Sequence, residues 1–164
     1  MTSRPLDPRI CNVAIDANSL DRLDADRAAG VDRLLELRDA ARITLIVPKG
    51  VRLEFQHPAT PRPVREAGSS QLFTVSVGLN PEELRQRCEI ERELQGNAKP
   101  CKHRADADHL FEAAKYCGYF ITHDDRILRR AGKLRRILPP LLTVVTLAGF
   151  LKIFDAYEQG DLHE

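Results

Sequence analysis

Four acidic side chains occupy positions at which an α/β protein could bring them together. Asp16 ends the apolar run ICNVAID, and Asp124 lies two residues past the apolar segment YFIT. Glu54 lies shortly after the apolar run ITLIVP, and Asp106 begins the helical pattern DADHLFEAAKYC. Because the carboxyl ends of parallel strands meet at one edge of a sheet, we expect these four carboxylates to converge at that edge.

Such a cluster of carboxylates has a specific chemical use. Carboxylates within a few ångströms repel one another, and each is driven towards protonation unless a cation balances the charge. Hard oxygen ligands select Mg²⁺ or Mn²⁺, which keep some water ligands and also accept phosphate oxygens. A metal-bound water is a better nucleophile, and the metal offsets charge on the phosphate under attack. The pattern therefore favours hydrolysis of a phosphodiester bond.

Each acidic residue taken alone has a simpler role. Asp106, Asp124 and Asp125 each precede or open a helical segment, where aspartate is a favoured N-cap. Glu54 alone would be an ordinary solvated glutamate on a helix. His109 and His123 flank the site, and the surface is the expected place for His123. Only the joint placement of the acidic residues favours a metal site.

Apolar segments alternate with segments of helical spacing along the chain. The pattern predicts strands over Ile10–Asp16, Ile43–Pro48, Tyr119–Thr122 and Leu141–Val145, with an extra or edge strand over Leu72–Val77. Strands that alternate with helices favour an α/β sandwich around a mostly parallel sheet.

The helical segments carry their own start and stop signals. The segment after Ser19 has helical spacing with an interruption near Gly30, and NPEEL predicts a helix capped by Asn80 with Glu83 in a capping box. Helices are also predicted for GVRLEFQH, DADHLFEAAKYC and LAGFLKIFDAY. Three prolines, a glycine and a serine pair predict an irregular loop over Pro58–Ser70.

Length and composition predict one soluble domain over residues 1–164. The formal net charge of +1 gives no global nucleic-acid signal. An apolar signal-peptide core and a membrane-spanning run are both lacking, which predicts no membrane association. Cys11 and Cys117 lie in apolar segments and are expected to be buried thiols, which favours a cytoplasmic location.

Basic residues crowd into the segment that follows Asp124. Arg126, Arg129, Arg130 and Lys133 can hold RNA phosphates without reading base sequence. A solvated helix face with ordinary ion pairs explains the same residues equally well.

The acidic motifs and their order resemble those of the PIN-domain nucleases. The first acidic residue of the family matches Asp16 in VAIDANSL, followed by the small polar residues Asn18 and Ser19, and its glutamate matches Glu54 in VPKGVRLEF. Its third carboxylate opens the helix DADHLFEAAKYCGYF, and its last follows the strand and threonine in ITHDD. The resemblance extends from about Val13 to Phe150.

Transfer of the family pattern leaves two choices between neighbouring residues. Asp106 is preferred as the third carboxylate because it shares a helix face with Leu110, and Asp108 is a rival or an additional ligand. The pattern Thr-x-Asp selects Asp124, which leaves Asp125 as the expected cap of the next helix. The segment 58–77, with its proline-rich loop and extra strand, departs from the compact form of the family.

The resemblance implies a three-layer α/β/α sandwich with a mostly parallel central sheet and a metal-dependent ribonuclease, commonly the toxin of a bacterial toxin–antitoxin pair. Asp16, Asp106 and Asp124 would hold Mg²⁺ or Mn²⁺, Glu54 would complete the shell or orient water, and Thr122 or Ser19 would support the ligands. RNA, an antitoxin protein and a second copy of the chain are the implied partners. The alternative is a catalytically silent PIN-like module that binds RNA or protein.

Overall fold

A parallel five-stranded sheet forms the centre of the protein. The computed structural model describes residues 4–69, 72–73 and 78–160. One of the two edge strands of the sheet has only two residues. The strands are β1 (Asn12–Ile15), β2 (Thr44–Val47), β3 (Leu72–Phe73), β4 (Tyr119–Ile121) and β5 (Thr143–Val145), in the order β3-β2-β1-β4-β5. All four strand pairings are parallel.

Helices cover both faces of this sheet. They are α1 (Ala25–Asp39), α2 (Lys49–Gln56), α3 (Arg62–Ser69), α4 (Pro81–Gln95), α5 (Arg104–Tyr116), α6 (Asp125–Leu134) and α7 (Leu147–Gln159), with a 3₁₀-helix over Ala17–Leu20. The protein is therefore a three-layer α/β/α sandwich, as predicted.

Side chains of alternate strand residues pack into two separate hydrophobic cores. Val13 and Ile15 of β1 contact the first core, which α1, α2, α3 and α7 complete, whereas Ala14 and Phe120 contact the second, which α4, α5 and α6 complete. This alternation follows from the two-residue period of a strand, and it fixes which face each helix covers.

The register of the strands places their carboxyl ends side by side. Ile15 of β1 is paired with Ile121 of β4, which in turn is paired with Val145 of β5. The backbone N–H of Asp16 donates to the carbonyl of Ile121 at 3.0 Å. The residues that follow β1 and β4 thus begin at the same edge of the sheet.

The helix α1 is continuous through Gly30, and the predicted interruption there is wrong. A Cβ at position 30 would lie 3.3 Å from Leu147 of α7, so the glycine serves the close approach of these two helices and not a break. The predicted cap and capping box of α4, Asn80 and Glu83, are both present.

The predicted irregular loop over Pro58–Ser70 is wrong in its second half, where α3 forms. Pro63 occupies the second helical position, where a missing N–H breaks no helical hydrogen bond. Val64 is buried in the first core, and Arg62 pairs with Glu66 one turn later. Proline therefore marks the start of a helix here.

The extra strand predicted over Leu72–Val77 is present as β3, an edge strand over Leu72–Phe73. Residues 74–77 lie outside the described residues.

The four cysteines are free thiols, and Cys11 and Cys117 are only half-buried. Among the residues that the structure describes, none of the helices combines the length and apolar character that crossing a bilayer requires.

Candidate metal centre

The carboxylate of Asp16 is held in one orientation at the end of the central strand. Its Oδ1 accepts a hydrogen bond from the backbone N–H of Ala17 at 2.8 Å, and its Oδ2 accepts one from the hydroxyl of Thr122 at 2.9 Å. Only 9% of the residue is exposed. The two bonds come from the segments that follow β1 and β4, so both segments position this side chain.

The other predicted supporting residues join the same two segments. Asn18 Oδ1 accepts from the backbone N–H of His123 at 2.9 Å, and the hydroxyl of Ser19 donates to the carbonyl of Ile121 at 2.6 Å. Thr122 Oγ1 also accepts from the backbone N–H of Asp124 at 3.0 Å. Thr122 therefore contacts Asp16 directly, whereas Asn18 and Ser19 hold the surrounding backbone.

Three side chains bring ligating atoms into one small space. One oxygen or nitrogen atom from each of Asp16, Glu54 and His109 lies within 4.8 Å of the others. Nε2 of His109 is 3.9 Å from Oε1 of Glu54, and His109 is almost fully buried. Glu54 comes from α2 and His109 from α5, so the cluster joins elements that are distant along the chain.

Gly50 makes room for the imidazole in this cluster. A Cβ at position 50 would lie 2.6 Å from Nε2 of His109, closer than a real contact allows. The sequence predicted that His109 flanks the site but assigned it no role. The one available signal was its spacing, because His109 lies three residues after Asp106 and so shares a helix face with it.

Asp106 and Asp124 form the other half of the predicted acidic set, and an arginine bridges them. Oδ2 of Asp106 is 3.1 Å from Nη1 of Arg126, and Oδ2 of Asp124 is 3.8 Å from Nη2 of the same residue. The negative charge of Asp106 raises the pKa values of Asp16 and Glu54. Asp106 is thus a close neighbour of the Asp16–Glu54–His109 cluster but lies outside it.

Two of the predicted assignments need revision. Asp108 does not reach the cluster, because its Oδ1 lies 2.7 Å from Nη1 of Arg87 on α4. Asp124, and not Asp125, is the N-cap of α6: its Oδ1 accepts from the backbone N–H groups of Arg126 at 2.7 Å and Ile127 at 3.3 Å. The side chain of Asp125 points to solvent in the first turn.

Burial disfavours negative charge at the cluster. Burial raises the pKa of Asp16, and the charge of Asp106 adds to this, while His109 and the hydrogen bonds from Thr122 and Ala17 oppose it. Burial, followed by the charges of Asp16 and Asp106, raises the pKa of Glu54 to about 7. A cation at the cluster would remove this penalty.

The raised pKa of Glu54 makes the stability of the metal-free protein depend on pH. The folded state holds this proton more tightly than the unfolded state, so unfolding free energy falls as pH rises from 4.5 to about 7 and stays lower above that range. Glu54→Gln removes the titration. In EDTA we expect the free energy of unfolding of the variant to be higher than that of the wild type by about 1 kcal/mol at pH 8 and equal to it at pH 4. The figure at pH 8 is reduced because 44% of the Glu54 side chain is exposed and solvent screens its charge.

Urea unfolding at the two pH values checks this expectation. Glu89→Gln is the matched control, since it makes the same substitution at an exposed position of α4. A Glu54→Gln effect that does not grow between pH 4 and pH 8 would contradict the assigned environment.

The four predicted RNA-binding residues of α6 divide into two pairs. Arg130 donates to the backbone carbonyl of Glu93 and lies 3.1 Å from its Oε1, so it joins α6 to α4, and Arg126 turns towards Asp106. Arg129 and Lys133 extend outwards, with 79% and 73% of their side chains exposed. This second pair is the more exposed of the two.

The donor set of the cluster fits a divalent cation. Carboxylate oxygens suit Mg²⁺ and Mn²⁺, whereas imidazole nitrogen suits transition metals. Asp16, Glu54 and His109 together offer two oxygen donors and one nitrogen donor, a set that could hold a divalent metal ion. Comparison of the chain with protein-family models, with curated proteins and with solved structures found no match. The chemistry of this cluster is accordingly the main guide to function.

Proposed function

We propose that the chain is a metal-dependent endoribonuclease of the PIN-domain type, which hydrolyses RNA phosphodiester bonds with Mg²⁺ or Mn²⁺. One observation carries the proposal: Asp16, Glu54 and His109 bring their ligating atoms within 4.8 Å of one another at the carboxyl edge of a parallel sheet. Open parallel sheets bind their ligands at this edge.

Each residue of the centre has a role in this proposal. Asp16 and His109 hold the cation, and Glu54, which is the most exposed of the three, completes the shell or orients the attacking water. A bound divalent cation supplies a water of lowered pKa and offsets charge on the phosphate. Thr122 keeps the carboxylate of Asp16 in place through its hydrogen bond. In-line attack of water then leaves a 5′-phosphate and a 3′-hydroxyl.

RNA reaches the centre across α6. Arg129 and Lys133 project into solvent from the helix that Asp124 caps, so their charges can attract phosphates close to the cluster. The proposal includes the setting that the family resemblance implies: a cytoplasmic toxin that forms homodimers and is neutralised by an antitoxin protein.

A second candidate is a catalytically silent PIN-like module that binds RNA or protein. Its support is the ion pairing of Arg126 with Asp106 and Asp124, which neutralises two of the carboxylates that a nuclease of this type would use. Such a module would bind RNA through Arg129 and Lys133 without cutting it.

Incubation of the purified protein with mixed RNAs separates the two candidates. The nuclease proposal predicts cleavage in Mn²⁺, products that carry 5′-phosphates, and no cleavage in EDTA. Glu54→Gln should lower the cleavage rate by at least about 100-fold. Changes to residues that contact the metal ligands, and not the metal itself, typically cost about 10- to 100-fold. If the wild type and the Glu54→Gln variant both bind RNA and neither cuts it, the result would support the silent module.

A further inference from the structure

The guanidinium of Arg126 lies within the acidic region and not on the outer face of α6. Its Nη1 is 3.1 Å from Oδ2 of Asp106 and also donates to Nδ1 of His103, while its Nη2 is 3.8 Å from Oδ2 of Asp124. About a third of the side chain, 38%, is exposed. Three acceptors, one in α5 and two in the segments that precede α5 and α6, thus hold a single cationic group.

The contact with His103 shows that this position suits a cation that brings its own hydrogen-bond donors. A guanidinium has only donors, so Nδ1 of His103 accepts from Arg126, and the ring proton then belongs on Nε2. His103 is buried at the start of α5, and the same Nδ1 lies 3.3 Å from Oδ2 of Asp106. The guanidinium of Arg126 therefore contacts both His103 and Asp106.

The acidic set as a whole exceeds what one divalent ion requires. Asp16 and Glu54 lie on one side with His109, and Asp106 and Asp124 lie on the other with Arg126. In enzymes that act on phosphate esters, a group of several carboxylates can hold two divalent ions. In this chain the second group of carboxylates already has a positive partner.

From this arrangement we infer that Arg126 is a built-in counter-cation that limits the site to one divalent ion. The guanidinium occupies the Asp106–Asp124 half, and the divalent ion is confined to Asp16, Glu54 and His109. The inference rests on the metal centre of the proposed function. Arg126 is a positioning residue in this role, because it acts through Asp106 and Asp124 and not as a ligand.

The number of Mn²⁺ ions bound per chain tests the inference directly. Isothermal titration and equilibrium dialysis should give one Mn²⁺ for the wild type and two for Arg126→Gln, because removal of the guanidinium frees Asp106 and Asp124. Arg129→Gln is the matched control: it removes the same charge from the same helix, 79% of the side chain is exposed, and its partner is Asp125. It should bind one Mn²⁺.

Two further variants sharpen the result. The double variant Asp106→Asn/Arg126→Gln should return to one Mn²⁺, since the second group then keeps a single carboxylate. Arg126→Lys keeps the positive charge but lacks the planar fork that reaches both aspartates, and it replaces Arg126→Gln as the test if that variant does not fold. It should bind a second Mn²⁺ more weakly than the first.

The outcomes distinguish this inference from the proposed function. A wild type that binds one Mn²⁺, together with a folded Arg126 variant that also binds only one with unchanged affinity, would overturn the role of Arg126 and leave the metal centre intact. A wild type that binds no Mn²⁺ would remove the metal centre, and the inference with it. Circular dichroism in EDTA shows which variants are folded.

Discussion

Asp16→Asn is expected to lower the affinity for Mn²⁺ and the rate of RNA cleavage by at least about 100-fold each, with the fold preserved. The change removes the negative charge at the centre of the cluster, while the amide keeps the shape of the side chain. Its oxygen can still accept one of the two hydrogen bonds now made by Ala17 and Thr122. Because burial disfavours the charged form of Asp16, the loss of charge should not weaken the metal-free protein.

Titration with Mn²⁺ and a gel assay of RNA cleavage measure the two effects. Asp125→Asn is the matched control, since it removes the same charge near the site from a side chain that is 83% exposed. It should bind Mn²⁺ and cut RNA like the wild type. A folded Asp16→Asn protein that retains wild-type Mn²⁺ affinity would contradict the assignment of Asp16 as a ligand.

Gly50→Ala is expected to lower Mn²⁺ affinity by about 10-fold or more without loss of helical structure. The new methyl group would lie 2.6 Å from Nε2 of His109, so the imidazole must move away from Asp16 and Glu54. Alanine is favoured over glycine within a helix by about 1 kcal/mol, which offsets part of the cost of this movement. Metal affinity and stability should therefore respond differently to the same change.

Thermal melting in EDTA and Mn²⁺ titration separate these responses. Gly132→Ala in α6 makes the same substitution at a helical position where a Cβ meets nothing within 4 Å, so it should leave Mn²⁺ affinity unchanged. Equal affinities for the wild type and Gly50→Ala would show that His109 does not bind the metal.

The fold was predictable from the sequence because its signals are local. Apolar runs that end at a polar residue or at a proline marked β1, β2, β4 and β5, and the Asn80–Glu83 capping box marked the start of α4. The errors over Gly30 and Pro58–Ser70 have a common cause, since glycine and proline were interpreted as breaks. Tertiary contacts decided otherwise, through the packing of Leu147 on Gly30 and of Val64 in the core.

The site was predictable only in part. The placement of Asp16 directly after the first strand, and of Glu54 on the helix after the second, could be inferred from the periodicity of apolar residues. The inclusion of His109 depends on space left by Gly50 in another helix, and the inward direction of Arg126 depends on Asp106 and His103. Contacts between distant segments leave no periodic signal. For the same reason, the spacing of Asp106 and Asp108 could not show that Arg87 binds the latter.

The most direct test is pulsed electron paramagnetic resonance of Mn²⁺ added to the protein in equimolar amount. The proposed centre predicts one tightly bound ion with a ¹⁴N coupling from the imidazole of His109, which should disappear in His109→Gln while the signal from other ligands remains. Mn²⁺ that stays free in solution, or bound Mn²⁺ whose ¹⁴N coupling survives in His109→Gln, would contradict a centre built from Asp16, Glu54 and His109.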